Sequence, residues 1–184
     1  MILHLEYLEP DESSLVPAGP LRAGKPVARL RSDAAAALAG MIEAAKRDGV
    51  HLGVLSGYRS IVEQAKAFAD AEMRHGRGRG IRWVAPPGRS EHATGWAVDL
   101  GDLAAPSADD ELPFADTPSG LWLSRHAAEF GFEMSFPPRN WQNVGPEPWH
   151  FRFVGSPESR AAFHPGAFAT VIRALSAAWV FARS

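Results

Sequence analysis

The chain has 184 residues, 46% of them hydrophobic and 22% charged, with a net charge of -2 and a pI near 6.4. That length suits one compact domain with a real core. The composition excludes disorder and fibrous repeats, and the charge balance excludes a partner held mainly by phosphate neutralisation, so no nucleic-acid partner is expected. There is no cysteine, so disulfides, thiolate metal sites and cysteine nucleophiles are excluded and any metal must use His, Asp or Glu.

The first ten residues carry acidic side chains where a secretory signal needs a cationic start and an apolar run, which predicts a cytoplasmic protein while leaving action at the cell envelope open. Residues 1–29 hold four prolines and little periodicity and are expected to form an extended lead-in with no chemistry of its own. The domain proper is expected over 30–184, with a motif-bearing core at 50–155 and a helical end at 156–184. Ser32 or Asp33 can cap a helix through Arg47 whose apolar stripe is Leu38, Met41, Ile42 and Ala45, with Gly49 ending it. Val50 to Leu55 reads as a short buried strand.

Ser60-Ile-Val-Glu63 has the spacing of a capping box, predicting a helix to about Arg74. The glycine-arginine run from His75 to Arg89 reads as a loop. Trp96 to Leu100 alternates, so Ala97 and Asp99 share one face of a strand. Residues 102–118, rich in Pro, Asp and Ala, read as a long loop that could flank a cleft, and Leu121 to Phe130 as a helix stopped by Gly131. Trp149 to Val154 alternates again and puts His150 and Arg152 on one face. Ala167 to Ala182 is apolar but contains Arg173 and falls short of the roughly 20 residues of a spanning helix, so it reads as a packed helix with no stable membrane insertion. Helices, short strands and no βαβ repeat predict a single α+β domain, monomeric, with a small, mainly antiparallel sheet and flanking helices.

A hydrolytic zinc site needs three protein ligands, an open position for water and a carboxylate to take the water's proton. Two segments supply all four groups. In Ser90-Glu-His92-Ala-Thr-Gly95-Trp-Ala-Val-Asp99, Gly95 lets the backbone turn between His92 and the strand that aims Asp99. In Glu147-Pro-Trp-His150, Pro148 biases Glu147 toward an extended conformation and His150 follows on a strand. Alone, each histidine would be an ordinary structural one and Glu147 a surface acid; it is the conjunction that points to one Zn2+.

These segments resemble the signature of the zinc D-alanyl-D-alanine peptidases, the family of the vancomycin-resistance carboxypeptidases and dipeptidases with the hedgehog/DD-peptidase fold. Its pattern is Ser-x-His-x-x-Gly-x-Ala-x-Asp followed by Glu-x-Trp-His. Ser90, His92, Gly95, Ala97, Asp99, Glu147, Trp149 and His150 fill every fixed position. A third block, Ser56-Gly57-Tyr58-Arg59-Ser60 with Gln64, precedes them in the same order, and the likeness runs from Ala28 to Gly155.

The resemblance implies that His92, Asp99 and His150 hold zinc, and that Glu147 acts on the water and later protonates the leaving amine. It further implies that Arg59 takes part in catalysis and anchors the substrate, with Gln64, Ser90, Tyr58 and Trp149 contacting it. An arginine fork is also the side chain that chemistry alone would choose for a terminal carboxylate. The expected activity is D,D-carboxypeptidase cleavage of the terminal D-alanyl-D-alanine bond, on a peptidoglycan stem peptide or a small peptide that contains it. The alternatives are a D,D-dipeptidase, a peptidoglycan endopeptidase of the lysin type, and a zinc-bearing module that binds peptides without cutting them. One departure stands out: the carboxypeptidase branch carries an arginine-tyrosine-proline run after the glycine, where this chain has Phe132-Glu-Met-Ser-Phe-Pro137.

Overall fold

The computed structural model describes residues 2–19, 24, 26–82 and 84–164. The helix expected over Ala167 to Ala182 and the side chain of Trp83 lie outside the described residues. In chain order the elements are β1 (Leu15–Ala18), β2 (Ala28–Arg31), α1 (Ser32–Arg47), β3 (Leu52–Ser56), α2 (Ile61–His75), β4 (Ala97–Asp102), α3 (Pro118–His126), β5 (Phe132–Met134), β6 (His150–Phe153) and α4 (Pro157–Phe163), with short 3-10 turns between them. β1 and β2 pair as a two-stranded ribbon, and the other strands form one sheet in the order β3-β4-β6-β5; every pairing is antiparallel. This is the expected α+β domain with a small antiparallel sheet and flanking helices.

β4 carries the architecture. All six of its residues are buried, because β3 covers one edge and β6 the other. Its odd and even residues part company as a pleated strand requires. Val98 and Leu100 join Phe151 and Phe153 of β6 in the hydrophobic core, where Leu38, Met41, Ile42 and Ala45 of α1 also lie. Each of these side chains larger than alanine contributes roughly 1.5–3 kcal/mol by leaving water. Asp99 sits directly opposite His150 across the β4-β6 pair, and Ala97 opposite Arg152. The packing of the apolar face therefore fixes where the polar face presents its histidine and its aspartate.

Local boundaries differ from expectation in three places. Neither Ser32 nor Asp33 caps α1: the helix starts at Ser32 directly after β2, so Arg31 occupies the cap position and its side chain makes no capping bond. The Asp33 carboxylate is taken up by the indole N–H of Trp96 and the hydroxyl of Ser156. α3 begins at Pro118, capped by the Thr117 hydroxyl, and passes into a 3-10 turn at Ala127. The strand β5 covers part of the segment that departs from the family pattern. The capping box of α2 is present as expected, with Ser60 and Glu63 bonded to each other's backbone.

The stretch 103–117 holds two 3-10 turns and is pinned by Phe114, which is fully buried. No helix among the described residues is long and apolar enough to cross a membrane. Residues 2–10 form an extended strap bonded to the rest of the domain. Leu3 N–H donates to Gln142 O, Tyr7 N–H to Gly88 O, and the Glu9 carboxylate accepts from Ile61 N–H and the Tyr58 hydroxyl.

Candidate metal centre

His92 lies in the 3-10 turn Glu91–Thr94, which ends at Gly95. Gly95 has φ +73°, and a Cβ there would come within 2.9 Å of the Leu15 side chain, so only glycine turns the chain into β4 at this point without strain. The His92 ring is set by a second close approach. A Cβ on Gly57 would meet Arg29 O at 2.6 Å, and with glycine there the Gly57 carbonyl accepts from His92 Nδ1–H at 2.7 Å. His92 Nε2 is thereby left as an acceptor, 3.1 Å from Asp99 Oδ2.

His150 is fixed from both sides: Nδ1 lies 2.8 Å from Asp99 Oδ1 and Nε2 3.0 Å from Glu91 Oε2. Phe136 stacks on the His150 ring at 5.2 Å, and the two imidazoles meet edge to face at 4.9 Å. Donor atoms of His92, Asp99 and His150 all lie within 4.8 Å of one another, and the three residues are buried.

Charge at the centre follows from these contacts. Burial pushes the His92 imidazole below its ordinary value, outweighing Asp99, so the ring is neutral near pH 7. Burial opposes ionisation of Asp99 as well, but the charged His150 imidazole, whose Nδ1–H donates to it at 2.8 Å, holds its carboxyl well below the usual carboxylate range. Two acceptors, His92 Nε2 and Asp99 Oδ2, therefore face each other, an arrangement that a cation between them satisfies. For His150, burial lowers the ring's value, but its hydrogen bonds to Asp99 and Glu91 outweigh this and raise it to about 10. A proton on Nδ1 thus holds the position that a metal would take.

The donor set of two imidazoles and one carboxylate, each ring held through its other nitrogen, fits a catalytic zinc site with room for water. Glu147 stands beside it. Its backbone N–H donates to Phe136 O and its carbonyl accepts from His150 N–H, which ties it to the strand that carries His150. The carboxylate itself makes no hydrogen bond among the described residues. Burial raises its value to about 7, with Asp99 and Glu91 adding to the shift while His150 and Arg59 oppose it.

A cleft of about 180 Å³ opens over these groups. Arg59, Gln64, Ser90, Glu147 and Trp149 line it, together with the three candidate ligands. Arg59 donates to Gln64 Oε1 at 3.0 Å and to Ser56 Oγ at 3.3 Å, and Gln64 donates onward to Ala85 O at 2.7 Å. No carboxylate pairs with the Arg59 guanidinium among the described residues, so the fork is free to take one from a ligand.

Tyr58, expected at the substrate, does not line the cleft: its hydroxyl donates to Glu9 at 3.0 Å and Arg29 lies over its ring. The stretch 103–117 contributes nothing to the lining either. The strap, expected to carry no chemistry, supplies His4 and Tyr7 to the wall. Glu91 also went unanticipated. It is 3% exposed, its carboxylate held low at about 2 because the His150 and Arg152 interactions outweigh its burial. Only its place between two matched positions, Ser90 and His92, could have drawn attention to it.

The chain is similar to several known proteins in sequence and fold. The sequence profile of VanY, D-alanyl-D-alanine carboxypeptidase, matches residues 27–156. The putative carboxypeptidase YodJ of Bacillus subtilis is 36% identical over 129 residues, which is 68% of this chain and 46% of that protein. A D-alanyl-D-alanine carboxypeptidase of Enterococcus faecalis is 32% identical over 138 residues, 68% of this chain and 48% of the relative. The chain thus spans about half the length of these curated relatives. Among solved structures, the LD-carboxypeptidase LdcB superposes with a TM-score of 0.73 at 32% identity, covering 83% of this chain and 72% of that one. The vancomycin-resistance D,D-pentapeptidase VanY in complex with Zn(II) gives 0.60 at 26% identity, over 90% and 93%.

Proposed function

The chain belongs to the VanY family of D-alanyl-D-alanine carboxypeptidases, and from that membership we propose that it is a zinc-dependent carboxypeptidase that removes the terminal D-alanine from peptidoglycan stem peptides or their precursors. The observation that carries the reading is the convergence of His92, Asp99 and His150 at a cleft whose wall holds an arginine fork with no carboxylate partner, and a glutamate carboxylate with no hydrogen bond, among the described residues.

Zinc bound by His92, Asp99 and His150 would supply Lewis-acid polarisation of a carbonyl and of a water. Glu147, with its value raised to about 7, is poised to take a proton at its carboxylate near neutral pH and to return it to the leaving amine. Arg59 binds the terminal carboxylate with both nitrogens of its fork, and Gln64 holds that fork in plane. Ser90 and Trp149 line the same cleft. Its volume of about 180 Å³ lies below the roughly 300–1,000 Å³ of sites for drug-sized ligands, which favours the last one or two residues of a peptide over a long segment.

A second reading has its own support, since the LD-carboxypeptidase LdcB is a close structural neighbour. There the substrate would be a tetrapeptide stem and the bond cut an L,D one. Release of free D-alanine from a stem pentapeptide, a stem tetrapeptide and the D-alanyl-D-alanine dipeptide, with and without a chelator, separates the readings. Chelator-sensitive release from the pentapeptide is the expected outcome. Release from the tetrapeptide alone would establish the L,D reading and release from the dipeptide alone a dipeptidase. No release from any of the three by zinc-loaded protein would refute the proposal.

A further inference from the structure

We propose that Glu91 is the positioning residue that makes His150 a metal ligand: by accepting the Nε2–H of His150, it leaves Nδ1 as the nitrogen that faces the metal position. The inference rests on the zinc-peptidase reading and adds to it a residue that neither the ligand set nor the base includes.

A buried carboxylate is costly unless its oxygens are satisfied. Those of Glu91 are satisfied by four donors drawn from three separate parts of the chain. Oε2 accepts from His150 Nε2 at 3.0 Å and from the Ser135 hydroxyl. Oε1 accepts from Arg152 Nη1 at 2.8 Å and from the Tyr7 hydroxyl at 3.4 Å. An ion pair with Arg152 would account for one oxygen only, and Arg152 already has a second carboxylate, Glu133, at 2.7 Å from its Nε. The other oxygen is directed at the ring of His150.

His150 and Arg152 lie on the same face of β6. The guanidinium therefore holds the carboxylate beside the imidazole, while Tyr7 secures it from the strap. Tyr7 lies outside the matched span 27–156, so part of this support comes from residues that the family profile does not cover. All four partners donate. A glutamine in this place would turn an NH2 toward two of them, so the amide cannot replace the carboxylate even though its size is the same. A partner beyond the ligand shell that orients a ligating histidine is worth roughly 10–100-fold in metal affinity.

The test measures zinc dissociation constants by chelator competition on the full chain and on Glu91→Gln and Glu133→Gln, with circular dichroism of each metal-free protein. Glu91→Gln is expected to stay folded and to bind zinc roughly 10–100-fold more weakly. Glu133→Gln disturbs the same arginine without touching the histidine and is expected to bind within about twofold of the parent. If the parent chain takes up no zinc, the zinc-peptidase reading itself fails. If the parent binds and Glu91→Gln matches it, the reading stands and the role of Glu91 is overturned. Should Glu91→Gln not fold, nitrogen-15 spectra of the His150 ring in the zinc-loaded parent decide: a proton on Nε2 with metal on Nδ1 supports the proposal, and the reverse tautomer overturns it.

Discussion

Replacing Glu147 by glutamine should separate what this residue does for the reaction from what it does to the fold. The carboxyl stands at about 7 in the folded, metal-free protein against 4.5 as its ordinary value, chiefly because burial penalises the charged form. A group whose value is raised on folding favours the folded state while it is protonated, and that advantage fades as pH rises from the unfolded value through the folded one. The difference of about 2.5 pH units, at about 1.4 kcal/mol per unit, makes ionised Glu147 cost the metal-free protein about 3 kcal/mol above pH 7. Glu147→Gln removes the charge and keeps the shape. Denaturant unfolding of the metal-stripped proteins should therefore give a near-constant offset between variant and parent below about pH 4.5. Above it the variant should gain progressively, by about 3 kcal/mol at pH 8. The zinc-loaded variant should keep its metal and lose on the order of 10²–10⁴-fold in kcat, the usual worth of a positioned general acid-base. A stability difference that stays flat from pH 4 to 8 would refute the claim that burial holds this carboxyl up, and near-parent turnover would refute its role as base.

Zinc uptake should release a proton near neutral pH, because His150, raised to about 10, must surrender Nδ1–H to the metal. Calorimetry in buffers of different ionisation enthalpy should detect it, with apparent affinity climbing by up to about tenfold per pH unit below that value; pH-independent affinity would contradict the protonated resting state. Arg59→Lys keeps the charge but loses the fork. It should lower kcat/KM for a substrate with a free terminal carboxylate by about 10–100-fold, as expected for a charged hydrogen bond worth about 1.5–3 kcal/mol, and should affect an amidated substrate far less. Leu38→Ala removes a side chain of the hydrophobic core that is 1% exposed. It should destabilise the protein by about 2–5 kcal/mol in denaturant unfolding, with the zinc-loaded site intact below the transition.

The residues of the centre were legible because their geometry is local. Alternation along Trp96–Leu100 and Trp149–Val154 fixes the faces of Asp99 and His150, and Gly95 marks the turn that brings His92 to them. What sequence cannot display is which distant partner claims a side chain. Glu91 is enclosed by Arg152 and Tyr7, 61 and 84 residues away, and nothing in the local sequence signals either partner. Asp33 has the chemistry of a helix cap, but the indole of Trp96, 63 residues on, takes its carboxylate. Tyr58 sits in the right block, yet Glu9 of the strap draws its hydroxyl away from the cleft. The strap itself has no periodicity to read, since its order comes from backbone bonds to Gln142 and Gly88. β5 is only three residues long and is defined by its pairing with β6 rather than by its own pattern.

Anomalous diffraction at the zinc absorption edge, from crystals of the full chain saturated with zinc, tests the central claim most directly. The account predicts a single strong peak within bonding distance of His92 Nε2, an Asp99 carboxylate oxygen and His150 Nδ1, with Glu147 beside it and unbonded to the metal. A peak bonded to other side chains, or none at this centre in zinc-saturated crystals, would contradict it.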